Sequence, residues 1–303
     1  MTVKSAVLIA GPTASGKSAL ALEVAARTNG IIINADSMQV YRDLRVITAR
    51  PIDEEMNAAP HRLYGHIGGE EVYSVGRWLR ETEHEIAVVR AEDKTPIVIG
   101  GTGLYFSGLL KGLSAVPEVP AEIRQQIREL GEKHENNTLH RMLAERDPNT
   151  ADEIRVPDRQ RILRALEVIE ATGRGLAEWR EEPGVPVLND GDYRGIFLET
   201  DREALGKRID ARFDKMLAEG ALDEVKALSA RDLNPSMPVL KAHGVPWLIR
   251  HLNNEMPLEE AAAHGKRDTR QYAKRQETWF RNQLPEFQWV KPEAALEALL
   301  GRA

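Results

Sequence analysis

The sequence predicts an α/β fold: a P-loop parallel-sheet core that carries a helical insertion domain. Three observations lead there. A glycine-rich turn, Gly11–Ser18, follows an apolar run and precedes helical periodicity; isoleucine-rich runs alternate with helices on either side of it; and a stretch from about Pro117 holds helices with no strand between them. This reading divides the chain into a core of 1–117 and 190–303 and an insertion of 118–189.

The elements follow in order. Val7, Leu8 and Ile9 form a short buried strand, and Ser18 to Arg27 repeats apolar residues at helical spacing before Asn29-Gly30 ends the helix. Ile31, Ile32 and Ile33 form a second strand that delivers Asp36. After a helix capped by Ser74, Ile97, Val98 and Ile99 form a third that delivers Gly100-Gly101-Thr102-Gly103. Strands that are apolar throughout and separated by helices imply a parallel sheet covered on both faces. Ligands of such sheets sit outside the carboxyl ends of the strands, so the Gly11–Ser18 turn, Asp36 and Thr102 are expected to converge on one crevice.

Ala121–Leu130, Thr138–Glu145 and Asp158–Thr172 read as insertion helices, closed by the Pro- and Gly-containing loop Glu182–Gly191. Tyr193–Glu199 restores a strand, Asp201 caps the next helix, and helices are expected around Ala204–Met216 and Leu222–Ser229. A long amphipathic helix over Leu258–Asn282, a short strand at Phe287–Val290 and a terminal helix complete the chain.

Composition narrows the class. The chain has 303 residues and 42% hydrophobic residues, enough to bury a sizeable core. Cysteine is absent, which excludes disulfides and thiolate metal sites, and the eight histidines show no zinc-ligand spacing. With no secretory leader pattern and no run of about 18 apolar residues, a cytoplasmic protein away from membranes is expected. The net charge, 41 − 47 = −6, excludes a wholly basic nucleic-acid binder and leaves room for local basic patches.

Gly11-Pro12-Thr13-Ala14-Ser15-Gly16-Lys17-Ser18 matches the phosphate-loop pattern in its required strand-to-helix context. The glycines allow backbone N–H groups to turn inward, Lys17 adds positive charge, the Ser18 hydroxyl is the candidate ligand for Mg²⁺, and the helix dipole favours an anion. The loop therefore binds a diphosphate or a nucleotide. Asp36 follows the second strand, where a carboxylate serves as a general base, a water-mediated metal partner, or a turn cap. Thr102 is an acceptor-orienting hydroxyl or a turn residue. The third strand ends in glycines where many nucleotide hydrolases carry a metal-binding aspartate, which argues against plain ATP hydrolysis.

At this point the chain resembles the tRNA dimethylallyltransferases, also called tRNA isopentenyltransferases. The matching segments are Gly11–Ser18, Asp-Ser-Met-Gln-Val-Tyr at 36–41, Pro-His-Arg-Leu at 60–63 and Gly-Gly-Thr-Gly-Leu-Tyr at 100–105. They continue with Asp-Arg-Gln-Arg-Ile-Leu-Arg-Ala-Leu-Glu-Val at 158–168 and Tyr-Ala-Lys-Arg-Gln-Glu-Thr-Trp-Phe-Arg at 272–281. Two segments depart: Ile47-Thr48-Ala49-Arg50 stands where Gly-Thr-Ala-Lys is usual, and Lys241-Ala242-His243-Gly244-Val245 where Gln-Ala-Ile-Gly-Tyr is common.

The resemblance implies transfer of a dimethylallyl group from dimethylallyl diphosphate to N6 of adenosine 37 beside the tRNA anticodon, with Mg²⁺, by a monomer. It implies Asp36, Thr102 and Lys17 as catalytic residues. It also implies tRNA contacts from Asp36, Ser37, Met38, Gln39, Thr102, Arg124, Gln160, Arg161, Ile162, Leu163, Arg164, Lys274, Arg275 and Arg281, and from the segment Lys241–Pro246. The basic residues of the insertion (Arg155, Arg159, Arg161, Arg164) and of the late helix (Lys266, Arg267, Arg270, Lys274, Arg275, Arg281) read as phosphate-binding surfaces, opposed between 266 and 281 by Asp268 and Glu277 alone, or as solvated faces. Three rivals stay open on the residues themselves: a P-loop kinase of a small metabolite, a prenyltransferase of free adenine nucleotides, and an RNA-binding regulator with a vestigial loop.

Overall fold

The computed structural model describes Ser5–Glu182 and Gly184–Gly301, and the chain divides into two compact units, 1–110 with 187–303, and 111–186. The second unit starts and ends ahead of the expected 118–189. The reason at its end is local: the N–H groups of Val187 and Leu188 both donate to the Leu109 carbonyl, and Leu188 is buried in the core of the first unit.

The first unit is built on strands β1 (Ala6–Ala10), β2 (Gly30–Ala35), β3 (His61–Arg62), β4 (Thr95–Gly100), β5 (Tyr193–Leu198) and β6 (Gln288–Val290). They form one sheet in the order β3-β2-β4-β1-β5-β6, parallel throughout. β3 is only two residues long and polar, which hides it from hydropathy patterning. Alternate side chains of a strand leave opposite faces. Accordingly Leu8, Ile31, Ile33 and Val98 enter one apolar layer, while Val7, Ile9, Ile32 and Ile97 enter the other.

The helices are α1 (Lys17–Thr28), α2 (Asp53–Ala58), α3 (Val75–Ala91), α4 (Gly103–Lys111), and, in the second unit, α5 (Ala121–Lys133), α6 (Asn136–Arg146), α7 (Pro148–Glu153), α8 (Arg159–Thr172) and α9 (Leu176–Glu181). α10 (Arg202–Ala218), α11 (Ala221–Ser229), α12 (Val245–Leu252), α13 (Leu258–Gln283) and α14 (Pro292–Leu300) return to the first. The expected caps form: the Ser74 side chain accepts the Arg77 N–H, and Asp201 accepts that of Ala204. α13 is anchored by Phe280, fully buried with its ring centroid 4.9 Å from that of Phe197, 5.5 Å from Phe287 and 5.6 Å from Phe106. Such aromatic clusters add directional packing to area burial, which fixes the helix in rotation as well as position.

The second unit packs its helices around Ile127, Leu139, Leu143, Ile154, Ile162 and Leu166. Arg159 works inside it, donating to the Gly131 and His134 carbonyls and to Asn136 Oδ1, so it ties α8 to the end of α5.

Candidate active site

Gly100 pairs with Ala10 on one side and with Ala35 on the other, so β1, β2 and β4 end side by side. That register delivers the glycine-rich loop, Asp36 and Thr102 to one place, as the strand pattern predicts. The loop turns through Gly16, whose φ of 95° is the left-handed conformation glycine adopts at no steric cost. α1 then starts with no side-chain cap and no acidic residue in its first turn, leaving its N–H groups for an anion.

Lys17 Nζ donates to the Pro12 carbonyl at 2.7 Å. Burial, and after it Arg212, lower the pKa of this ammonium to about 7 against the opposing pull of the Asp36 carboxylate. Lys17, Ser18, Asp36, Arg212 and Gln276 line a single cavity of about 70 Å³. A larger cavity, about 220 Å³, shares Thr13, Ala14, Asp36, Thr48 and Arg212 with it and adds an apolar wall of Ile47, Ile209, Phe213 and Met216. Asp36 thus stands where a charged, phosphate-sized space meets a mostly apolar one.

Its carboxylate is held firmly. Oδ1 accepts the N–H groups of Met38 at 2.8 Å and Gln39 at 3.3 Å. The backbone beneath is gripped by the fully buried Asn34, whose Oδ1 accepts the Asp36 N–H at 2.8 Å and whose Nδ2 donates to the Asp36 carbonyl at 3.0 Å. Thr102 Oγ1 accepts the Ser37 N–H, joining the two turns. Gln39 lines the same cavity, its Nε2 donating to the Thr48 and Ala49 carbonyls at 2.9 Å.

Four further residues line or adjoin this site that the sequence did not single out by themselves, although His243 falls within the expected segment Lys241–Pro246 and Gln276 within the matching segment 272–281. Tyr272 and Gln276 lie on α13, inside the 272–281 segment but masked there by its basic residues; Tyr272 lines the larger cavity together with Asp36. Burial and then Asp36 hold the Tyr272 phenol far above its ordinary pKa, so it stays neutral. His243, its ring centroid 4.5 Å from that of Tyr272, is pushed down by burial and by Arg275, against the pull of Asp36 and Asp268. Arg212 gave no signal, being one arginine on an amphipathic helix; burial lowers its pKa against the charges of Asp36 and Glu55.

Other expected contacts need correction. Ile162 is fully buried in the second unit's core, on the inward face of α8, so its side chain presents no surface to RNA; Leu163 is half-buried and packs against that core. Gln160 is exposed, Arg161 pairs with Asp158 at 3.3 Å, Arg164 with Glu167 at 3.3 Å, and Arg124 with Glu118 at 3.4 Å. On α13, Lys266 pairs with Asp214 at 2.6 Å and Arg270 pairs with Asp210. These carboxylates come from α10, a partner that charge counting along α13 could not reveal. Lys274, Arg275 and Arg281 are exposed and, among the described residues, carry no ion pair; Arg281 lies over the Trp289 ring at 4.3 Å.

Comparison with known proteins now decides the family. A family model described as IPP transferase matches residues 39–283, and one described as isopentenyl transferase matches 4–67. The chain belongs to the IPP transferase family. A tRNA dimethylallyltransferase of Bradyrhizobium sp. (strain BTAi1) is 58% identical over 97% of this chain and 96% of its own length. That of Nitrobacter hamburgensis is 56% identical over 96% and 92%. IPP transferases of known structure share the fold. The tRNA isopentenylpyrophosphate transferase of Bacillus halodurans is 32% identical, with a TM-score of 0.68 and coverage of 95% of this chain and 90% of that one. A eukaryotic dimethylallyltransferase acting on tRNA has a TM-score of 0.81 at 28% identity, over 97% and 76%. Like any IPP transferase, this chain is an enzyme of group transfer; among its described residues no helix is long and apolar enough to cross a membrane.

Proposed function

We propose that the protein transfers a dimethylallyl group from dimethylallyl diphosphate to N6 of adenosine 37 in tRNA, giving N6-isopentenyladenosine. The observation that carries the reading is the position of Asp36 at the junction of the two cavities, one charged around Lys17 and one apolar.

In this mechanism the N–H groups at the start of α1, Lys17 and Arg212 hold the diphosphate and stabilise its growing charge as the C1–O bond breaks. The exocyclic amine of adenine is a weak nucleophile because its lone pair is delocalised into the ring. Asp36 accepts its proton as the C–N bond forms, so the products are the alkylated amine, free diphosphate and a protonated carboxyl that returns its proton to water. Thr102, bonded to Ser37, orients the base. The adenine must leave its stack to reach Asp36, at roughly a few kcal/mol.

Mg²⁺ fits the donor set. Ser18, Asp36 and Glu55 supply oxygens to the cavity, no group of three or more His, Asp or Glu residues among the described residues forms a protein-only cage, and this ion characteristically takes few protein oxygens beside phosphates and water. Ser18 would hold it, and its chemistry there is neutralisation of diphosphate charge. We further propose that the enzyme acts as a monomer in the cytoplasm.

The test is to incubate the protein with Mg²⁺, labelled dimethylallyl diphosphate and unmodified tRNA, then locate the label by nuclease digestion and mass spectrometry. Label on N6 of the adenosine next to the anticodon is expected. Transfer to free AMP in preference to tRNA, or phosphate transfer from ATP instead, overturns it.

A further inference from the structure

We propose that Gln276 is a positioning residue: from α13 its amide locks the donor loop to the turn that carries Thr102, fixing donor and acceptor relative to each other. The role rests on the proposed prenyl transfer, and it concerns a side chain turned away from the exposed basic face of its own helix.

Gln276 is 5% exposed. Its Nε2 donates to the Gly101 carbonyl at 2.9 Å and its Oε1 accepts the Thr13 N–H at 3.1 Å. Thr13 belongs to the phosphate loop and Gly101 immediately precedes Thr102. One amide therefore spans two loops that are 88 residues apart in sequence (101 − 13 = 88). A primary amide satisfies both at any pH: an ionised carboxylate offers no proton to Gly101, and an aliphatic side chain leaves two buried polar groups without a partner.

The surroundings are shaped for it. A Cβ on Gly101 would collide with Gln276 Nε2, so glycine there makes room for the amide. A Cβ on Gly103 would collide with the Trp279 ring, one helical turn further along α13. The Phe280 anchor, four residues on, keeps Gln276 from swinging clear. Thr13 commits its N–H to this bond, which orients that peptide and with it the start of the loop. Small displacements of reacting groups are costly, since about 1 Å of misplacement lowers rates on the order of 100-fold.

The experiment uses the full-length protein with three substitutions, Gln276→Leu, Gln276→Met and Gln276→Glu. It reads melting temperature, affinity for inorganic pyrophosphate, affinity for tRNA, and single-turnover prenyl transfer. Gln276→Leu and Gln276→Met are expected to slow transfer by roughly 30- to 100-fold and weaken pyrophosphate binding by about tenfold, with tRNA affinity changed less than about twofold. In Gln276→Glu the deficit relative to wild type is expected to shrink as pH falls from 8 to 6, because the protonated acid again donates to Gly101 and accepts from Thr13. Wild-type rate with only a lowered melting temperature overturns the proposal in favour of simple packing; tRNA affinity falling as much as the rate overturns it in favour of RNA contact. If the wild type itself fails to prenylate tRNA, the functional reading falls, while unchanged pyrophosphate affinity in Gln276→Leu separately sinks the hold on the loop.

Discussion

Thr102 Oγ1 accepts the backbone N–H of Ser37 at 3.1 Å, so the turn after β4 is bonded to the residue that follows Asp36. In the proposed transfer the acceptor-orienting hydroxyl and the deprotonating carboxylate are thereby tied through the Ser37 peptide, and substitutions at this pair and its neighbours have separable expected outcomes.

Asp36→Asn retains an oxygen for the Met38 and Gln39 N–H groups, so the local fold should persist. Loss of the general base is expected to slow single-turnover transfer by about 10² to 10⁴. Filter binding should find tRNA affinity within about threefold of wild type. Undiminished transfer by the variant removes Asp36 from the base role.

Lys17 makes donor binding depend on pH. Its ammonium has a pKa of about 7, and a bound diphosphate raises that value, so the charged form is favoured in the complex. Below pH 7 the lysine is protonated with or without ligand and affinity is level on its account. Above pH 7 the free protein loses the proton first, and pyrophosphate affinity should fall by up to about tenfold per pH unit. Calorimetric titration from pH 6 to 9 checks this, and Lys17→Ala should bind weakly without that added slope.

Lys274, Arg275 and Arg281 are exposed α13 cations that carry no ion pair among the described residues. Replacing all three with alanine should reduce the slope of log affinity for tRNA against log salt by about 0.7 to 0.9 for each phosphate they neutralise. Lys266→Ala and Arg270→Ala, whose partners are Asp214 and Asp210, should alter the slope much less. An affinity independent of salt in the wild type excludes this surface.

Ile162 and Arg161 separate packing from surface on α8. Ile162→Ala should cost about 2–5 kcal/mol in denaturant unfolding of the 111–186 unit, as large-to-small core substitutions do. Arg161, 70% exposed and paired with Asp158, should change stability by less than about 0.5 kcal/mol when replaced with alanine.

Much of this architecture is legible in the chain because its signals are local. The Ile31–Ile33 and Ile97–Ile99 runs declare buried strands, Gly11–Ser18 declares a phosphate loop, and Ser74 and Asp201 declare helix starts. What stayed hidden depends on partners distant in sequence. Gln276 looks like one polar residue in a basic helix until the carbonyl of Gly101 and the N–H of Thr13 are brought to it. Asp210 and Asp214 neutralise α13 from another helix, and Arg212 acquires meaning only beside Asp36. The boundary near 186 was missed for the same reason, since the Leu109 carbonyl recruits Val187 and Leu188 across the intervening helices.

The pairing of Gly100 with both Ala10 and Ala35 sets the spacing of the reacting groups by the pitch of the sheet, about 4.8 Å between neighbouring strands. The chemistry thereby inherits a ruler made of backbone hydrogen bonds rather than of pliable loops. On the proposed mechanism, hydrophobic residues remote from any ligand, Ile33 and Val98 among them, hold β2 against β4 and so keep Asp36 at its set distance from the phosphate loop.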